Sequence, residues 1–345
     1  MRIGIYSTSF YPSLGGTEKA TWLLAGQAVR AGYEVTILTR TPADNWTNPE
    51  PRIRILRNPG WNRLAREYRK LDALVINGGL SARAFLPSVF SDVRVIPLHA
   101  MITDGMRGGT GLRDRLGDHI RSVMARQAHR HVGVSPLVLE AAGVEGEVIP
   151  NMIDPELLQY RSVLQEESQI YDLIYAGRLE QSKGIHRLLE VLAQLSEAGT
   201  DARLLICGDG GYKSTLREMA KSMGIEELVD FKLAGTAQEL ARAYARSKAV
   251  VHTPLAYEGF GMSLIEGMAF GLPSVINAMP ALPWTQGGAG WQLEELTTDR
   301  LRPVIQSIQN RDEEYRAKSK KAAAKAEAFL PEQVFGQWQE LFQTL

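Results

Sequence analysis

The stretch Asp172-Leu173-Ile174-Tyr175-Ala176-Gly177-Arg178-Leu179-Glu180-Gln181-Ser182-Lys183-Gly184 decides how this chain folds. An apolar run, Asp172–Leu179, reads as a strand. It passes through a loop of glycine and charge into Ile185–Ala198, whose apolar residues recur at helical spacing until Gly199 stops them. A short buried strand feeding an amphipathic helix is the repeating unit of a parallel sheet with crossover helices. The unit recurs downstream: Arg203–Cys207 (strand), Tyr212–Met223 (helix), Val229–Leu233 (strand), Ala237–Ser247 (helix), Ala249–Thr253 (strand), Met262–Phe270 (short helix) and Ser274–Asn277 (strand). Upstream, Arg2–Ser9, Glu34–Arg40, Arg52–Leu56, Ala73–Ile76 and Val93–Leu98 read as strands, and Thr17–Ala31 as a helix. Val132–Ser135 and Glu147–Pro150 read as short strands closing the set.

The fold class expected is α/β, with two doubly wound Rossmann-like domains and a cleft between them. The polar stretch Arg161–Ile170 reads as the linker, which gives a first domain over 1–165 and a second over 166–327. The tail, 328–345, is set apart: a Lys/Ala-rich helix, Glu313–Phe329, is interrupted at Pro331 and followed by a helix over Gln333–Leu345. Phe335, Trp338, Leu341 and Phe342 form one apolar stripe on that last helix, so it must pack on something.

A length of 345 residues accommodates two cores. The single cysteine, Cys207, excludes an intramolecular disulfide framework and a zinc–cysteine site. The chain passes from Met1-Arg2-Ile3 straight into a strand, without the charged and apolar regions of a signal peptide, and no apolar run approaches the roughly 20 residues of a membrane span. The expectation is a cytoplasmic protein. Net charge is zero but uneven, with 19 basic against 13 acidic residues over 1–150 and 20 against 26 over the remainder. Either the first half meets something anionic, or the imbalance is ordinary variation in solvated surface. No nucleic-acid partner is expected.

Open α/β sheets place their ligands beyond the carboxyl ends of strands. The first such loop, Phe10–Thr17, carries Gly15-Gly16 just before a helix, where backbone can approach a ligand closely. In the second, Arg178 and Lys183 flank a turn from which both cations could reach one diphosphate; the alternative is two solvated surface charges. The third is Glu258-Gly259-Phe260-Gly261-Met262-Ser263-Leu264-Ile265-Glu266, closed by Gly271-Leu272-Pro273. Its glycines and helix N-terminus can bind an anion, and a carboxylate at Glu266 can accept hydrogen bonds from sugar hydroxyls. Alternatively, Glu266 is an ordinary helix acid.

Together these elements resemble the retaining glycosyltransferases of the GT-B fold, glycosyltransferase family 4 in particular. The resemblance runs over nearly the whole chain, through Gly15-Gly16, Val134-Ser135, Pro150-Asn151 with Asp154, Gly177-Arg178-Leu179 with Lys183-Gly184, Gly208-Asp209-Gly210 and the pair Glu258 and Glu266. It implies a nucleotide-sugar donor, UDP- or GDP-linked, a hydroxyl acceptor on a glycan or lipid carrier, and no metal or other cofactor. It also implies that Arg178 and Lys183 neutralise the donor diphosphate and that Glu266 holds the ribose. Glu258, with the loop Gly259, Phe260, Gly261, Met262, Ser263 and Leu264, would face the transferred sugar and phosphates. Gly15 and Gly16 would close on the donor, and the terminal helix would return to the first domain. His99, after the strand Val93–Leu98, stands where many relatives carry a histidine near the reacting carbon; it could equally be a satisfied strand-end histidine. His119, His129, His131, His186 and His252 show no ligand spacing and read as structural or surface. Leu255 replaces the Ser often found after Pro254, Met152-Ile153 replaces Gly-Val, and the segment after Pro283 offers no familiar pattern.

The expected chemistry is transfer with retention by front-side attack, with the leaving diphosphate met by Arg178, Lys183 and helix N-terminal amides. Arg107–Arg130, with Arg113, Arg115, Arg121 and Arg126, reads as a basic amphipathic helix. It is either a helix packed on its own domain or a peripheral contact with the inner face of a membrane or a lipid-diphosphate acceptor. Rival functions are a nucleotide-sugar epimerase and a non-catalytic binding protein. A dinucleotide oxidoreductase is disfavoured because Gly208-Asp209-Gly210 continues to Lys213, without the third fingerprint glycine.

Overall fold

The β-branched runs assemble into two separate, wholly parallel sheets, one in each of two units. The structure, a computed structural model, describes every residue except 14, 45, 79–80, 101–121 and 165–166. The first unit comprises 1–152 with 331–345, and the second 153–330.

In the first unit the strands are β1 (Arg2–Ser7), β2 (Glu34–Thr39), β3 (Ile53–Arg57), β4 (Ala73–Asn77), β5 (Arg94–His99), β6 (Val132–Gly133) and β7 (Glu147–Val148), in the order β3-β2-β1-β4-β5-β6-β7. Ile5 pairs with Ile37 on one side and Val75 on the other, so the central strands are buried on both faces, as their near-continuous apolar sequences require. Strand order reverses between β1 and β4. The amide of Asn77, at the end of β4, donates to Thr21 Oγ1 at 2.8 Å and to the Thr17 carbonyl at 3.2 Å, which pins the first turn of the helix Gly16–Arg30 beside that point.

The second unit holds β8 (Tyr171–Ala176), β9 (Leu204–Cys207), β10 (Val229–Lys232), β11 (Ser247–His252), β12 (Ser274–Asn277) and β13 (Gly290–Leu293), in the order β10-β9-β8-β11-β12-β13. Here the order reverses between β8 and β11. The helix Ile185–Glu197 buries Leu188, Leu189, Leu192 and Leu195 against this sheet.

The strands expected to run to Ser9 and Leu179 leave the sheet at Ser7 and Ala176. Gly177 N still bonds the Cys207 carbonyl, but Leu179 N turns to Asp209, so the apolar Leu179 belongs to a loop and not to the ladder. The tail breaks where expected, at Leu330, whose backbone is extended before the proline, and the last helix, Pro331–Gln343, opens on Pro331 itself, where its missing N–H is not needed. The stripe of that helix is buried in the first unit, with Phe335 and Phe342 meeting Tyr33 edge-on at 6.4 and 6.0 Å. β13 and the helices Trp61–Tyr68, Leu282–Gln286 and Thr298–Asn310 are additional to the sequence reading. The last two carry Pro283 and Pro303, which mask helical periodicity.

Candidate functional site

At the reversal point of the second sheet, adjacent strands leave the sheet in opposite directions and open a crevice beyond their carboxyl ends. β8 delivers Arg178 and Lys183 there, and β11 delivers His252 and Glu258. The two loops are tied by backbone, since Leu255 N donates to the Ser182 carbonyl at 2.8 Å.

Lys183 Nζ donates to Glu258 Oε2 at 2.7 Å, and His252 Nε2 lies 3.4 Å from the same oxygen. A carboxylate only accepts, so the His252 proton in that contact sits on Nε2; Nδ1 then faces Ser263 Oγ at 3.3 Å. The His252 ring stacks parallel to Tyr175, whose hydroxyl donates to the Arg178 carbonyl at 2.9 Å. Burial pushes the Glu258 carboxyl up, but the hydrogen bond and charge of His252, joined by Lys183, outweigh it and hold its pKa at about 2. Lys183 and Glu258 retain only 22% and 23% of their side-chain exposure, so Lys183 is not a solvated surface charge. The Arg178 guanidinium is more open, 55% exposed and 3.0 Å from Glu180.

Gly261 begins the helix Met262–Ala269 at φ 89°, where a side chain would be strained and would crowd Leu282 and Leu264. No side chain caps this helix, which leaves first-turn amides and the positive end of its dipole for an anion. Ser263 faces His252, while Leu264 is in the core. Phe260 is buried edge-on against Phe329 at 5.7 Å, so it supports the loop from behind. Glu266 is not an ordinary helix acid. It is 5% exposed, and Oε2 accepts the Tyr244 hydroxyl at 2.8 Å.

Gly15 and Gly16 lie after β1, and Gly16 starts the helix Gly16–Arg30 without a side-chain cap. His99 ends β5, is buried, and places Nε2 3.1 Å from His131 Nδ1; burial, then the nearby His131, lower its pKa to about 4. These residues belong to the first unit and the diphosphate candidates to the second. His131 and His252, expected to be structural or surface, are held inside the protein, where each contacts a candidate site residue. Their signal in sequence was position alone: His252 is the last residue of its strand, and His131 immediately precedes one. His129 Nδ1 accepts from Val95 N, and His186 packs edge-on to Tyr212. His119 and most of the basic run Arg107–Arg130 lie outside the described residues. Of its described part, Met124 is buried while Arg126 and Arg130 are exposed.

Residues 159–325 match the family Glycosyl transferases group 1. The match lies within the second unit and covers just under half of the chain. The matched span contains Arg178, Lys183, His252, Glu258 and Glu266. Among curated relatives, a GDP-mannose-dependent alpha-(1-6)-phosphatidylinositol dimannoside mannosyltransferase of Mycobacterium tuberculosis is 28% identical over 157 residues, 46% of this chain and 40% of that protein. A D-inositol 3-phosphate glycosyltransferase of Corynebacterium aurimucosum is 35% identical over 115 residues, 32% of this chain and 27% of the relative. The chain thus spans less than half the length of these relatives. Among solved structures, Anabaena HepE in complex with UDP superposes with a TM-score of 0.80 over the whole of both chains at 18% identity. Sucrose-phosphate synthase from Thermosynechococcus elongatus gives 0.80 at 18% identity, covering 99% of this chain and 98% of that one. The fold is GT-B. In the second unit, Lys183, Glu258 and His252 meet in the crevice beyond β8 and β11, and Glu258 lies on the loop that leads into the uncapped helix.

Proposed function

We propose that this chain transfers a sugar from a nucleotide-diphosphate sugar to a hydroxyl acceptor, with retention at the anomeric carbon. The observation that carries the proposal is the Lys183–Glu258–His252 cluster set beside the uncapped helix Met262–Ala269. In this reading the diphosphate takes the place of Glu258 as the partner of Lys183. Arg178 swings from Glu180 to the second phosphate, and the amides after Gly261 receive the remaining charge without a metal. Glu266, oriented by Tyr244, receives the ribose hydroxyls. Glu258 is held by Lys183 and His252, which supports a role in orienting the sugar and not in attacking it. The leaving phosphate then helps to take the proton of the acceptor hydroxyl, as front-side attack requires. His99 is assigned to the reacting sugar, and Gly15 and Gly16 to closure on the donor.

The mycobacterial relative is named for GDP-mannose and the Anabaena structure holds UDP, so both nucleotides are candidates. The acceptor is assigned to a glycan or lipid-linked sugar of polysaccharide, lipopolysaccharide or glycolipid synthesis. The place of action is assigned to the cytoplasm, with Arg107–Arg130 as a peripheral membrane contact. Among the described residues no helix is long and apolar enough to cross a membrane.

The test is nucleotide release from a panel of UDP- and GDP-sugars with simple glycoside acceptors. One donor should turn over, the Arg178→Ala/Lys183→Ala double variant should lose turnover, and the product should keep the donor's anomeric configuration. An inverted product would contradict the front-side mechanism. A panel without turnover, in a protein that still binds a nucleotide sugar, would favour a binding protein.

A further inference from the structure

The first unit contains a chain of hydrogen bonds whose protons can be assigned from one end. His131 Nε2 lies 3.0 Å from the carbonyl oxygen of Ala125, which can only accept, so the His131 proton is on Nε2. In a neutral imidazole the other nitrogen is then a bare acceptor. His131 Nδ1 is 3.1 Å from His99 Nε2, and a hydrogen bond there requires the proton on His99 Nε2. The remaining nitrogen, His99 Nδ1, is left as a lone pair. It is buried and has no partner among the described residues.

Both rings hang from fixed backbone. His99 ends β5, and its carbonyl accepts from Val134 N at 3.0 Å; the His131 carbonyl accepts from Glu147 N at 2.9 Å. Burial and the neighbouring imidazole lower the pKa of His99, and burial lowers that of His131, so both are neutral near pH 7. A buried acceptor without a donor is rare in folded proteins, because it forfeits its hydration without recompense.

We propose that His131 is a positioning residue that locks His99 in its Nε2–H tautomer and so presents Nδ1 as an acceptor for a hydroxyl of the sugar undergoing transfer. The tautomer follows from the bond chain alone; the hydroxyl rests on the assignment of His99 to the reacting sugar made above. The opposite tautomer would put an N–H where the lone pair is and offer that hydroxyl a donor in place of an acceptor.

The test compares His131→Phe, which removes the acceptor, with His131→Asn, whose amide oxygen can take the place of Nδ1. It uses the full chain and whichever of UDP-glucose and GDP-mannose it turns over. His131→Phe should lower kcat roughly tenfold, the effect of one hydrogen bond, with donor KM essentially unchanged because the diphosphate groups lie in the other unit. His131→Asn should recover most of the loss. In 15N-histidine spectra at neutral pH, His99 of the native chain should carry its proton on Nε2. The native tautomer decides the bond chain even where the Phe variant does not fold. A proton on Nδ1, or Phe and Asn variants of equal activity, would overturn the positioning role. A fully active His99→Ala variant would instead remove His99 from the reaction, and a chain active with neither donor would undo the underlying assignment of function.

Discussion

Glu258 is the residue where sequence, burial and charge converge most tightly. Its pKa falls from the ordinary carboxylate value of 4.5 to about 2 in the folded chain, so the folded state holds its proton less tightly than the unfolded one. The stability this confers is present above about pH 4.5 and is lost as pH falls towards 2. Glu258→Gln should therefore be less stable than the native chain at neutral pH, and the gap between their melting temperatures should close on acidification below pH 4.5. A gap independent of pH would mean that the carboxylate is not held by Lys183 and His252. Arg178, Lys183, Glu258 and Glu266 were legible in the sequence because each lies within a few residues of a loop glycine or a helix start. His252, Tyr175 and Tyr244 were not. They meet their partners across strands and helices, as Tyr244 meets Glu266 from 22 positions away, and no local pattern encodes that contact.

At the scale of elements, the loops after β8 and β9 lean on each other. A Cβ on Gly208 would overlap the carbonyl oxygen of Gly177, next to Arg178, and the overlap is with backbone that cannot swing aside. Gly208→Ala should destabilise the second unit by about 2 kcal/mol or more and displace the Arg178 loop, which weakens donor binding. Gly211→Ala, where the added atom meets nothing within 4 Å, should change stability by less than about 0.5 kcal/mol. Denaturant melts of both variants, with nucleotide titrations, check this; equal effects would show that the two loops do not depend on close approach. Strand and helix positions were readable from apolar periodicity, while strand ends were not. The chain leaves the sheet at Ala176 through hydrogen bonds from Leu179 to Asp209 and from Tyr212 to Leu179, which are long-range.

At the scale of the molecule, the second unit is one continuous segment, whereas the first closes only with the last helix. Trp338 is 3% exposed, and its ring packs on Phe342 with centroids 5.6 Å apart. Trp338→Ala should cost about 3–5 kcal/mol, and the loss should appear in the melting of the first unit alone. Hydrogen exchange would localise it, and equal loosening of both units would contradict the division. The stripe Phe335, Trp338, Leu341 and Phe342 was legible as a packing face; its destination was not, because periodicity names a buried side without naming the surface that covers it.

The central claim is that the crevice beyond β8 and β11 holds a nucleoside diphosphate through Arg178 and Lys183. Calorimetric titration of the native chain and of the Arg178→Ala/Lys183→Ala variant with UDP and GDP tests it most directly. The account predicts that one nucleotide binds the native chain and that the variant binds it at least about a hundredfold more weakly, since each charged hydrogen bond contributes about 1.5–3 kcal/mol. Equal affinity in the two proteins, or no binding of either nucleotide to the native chain, would contradict it.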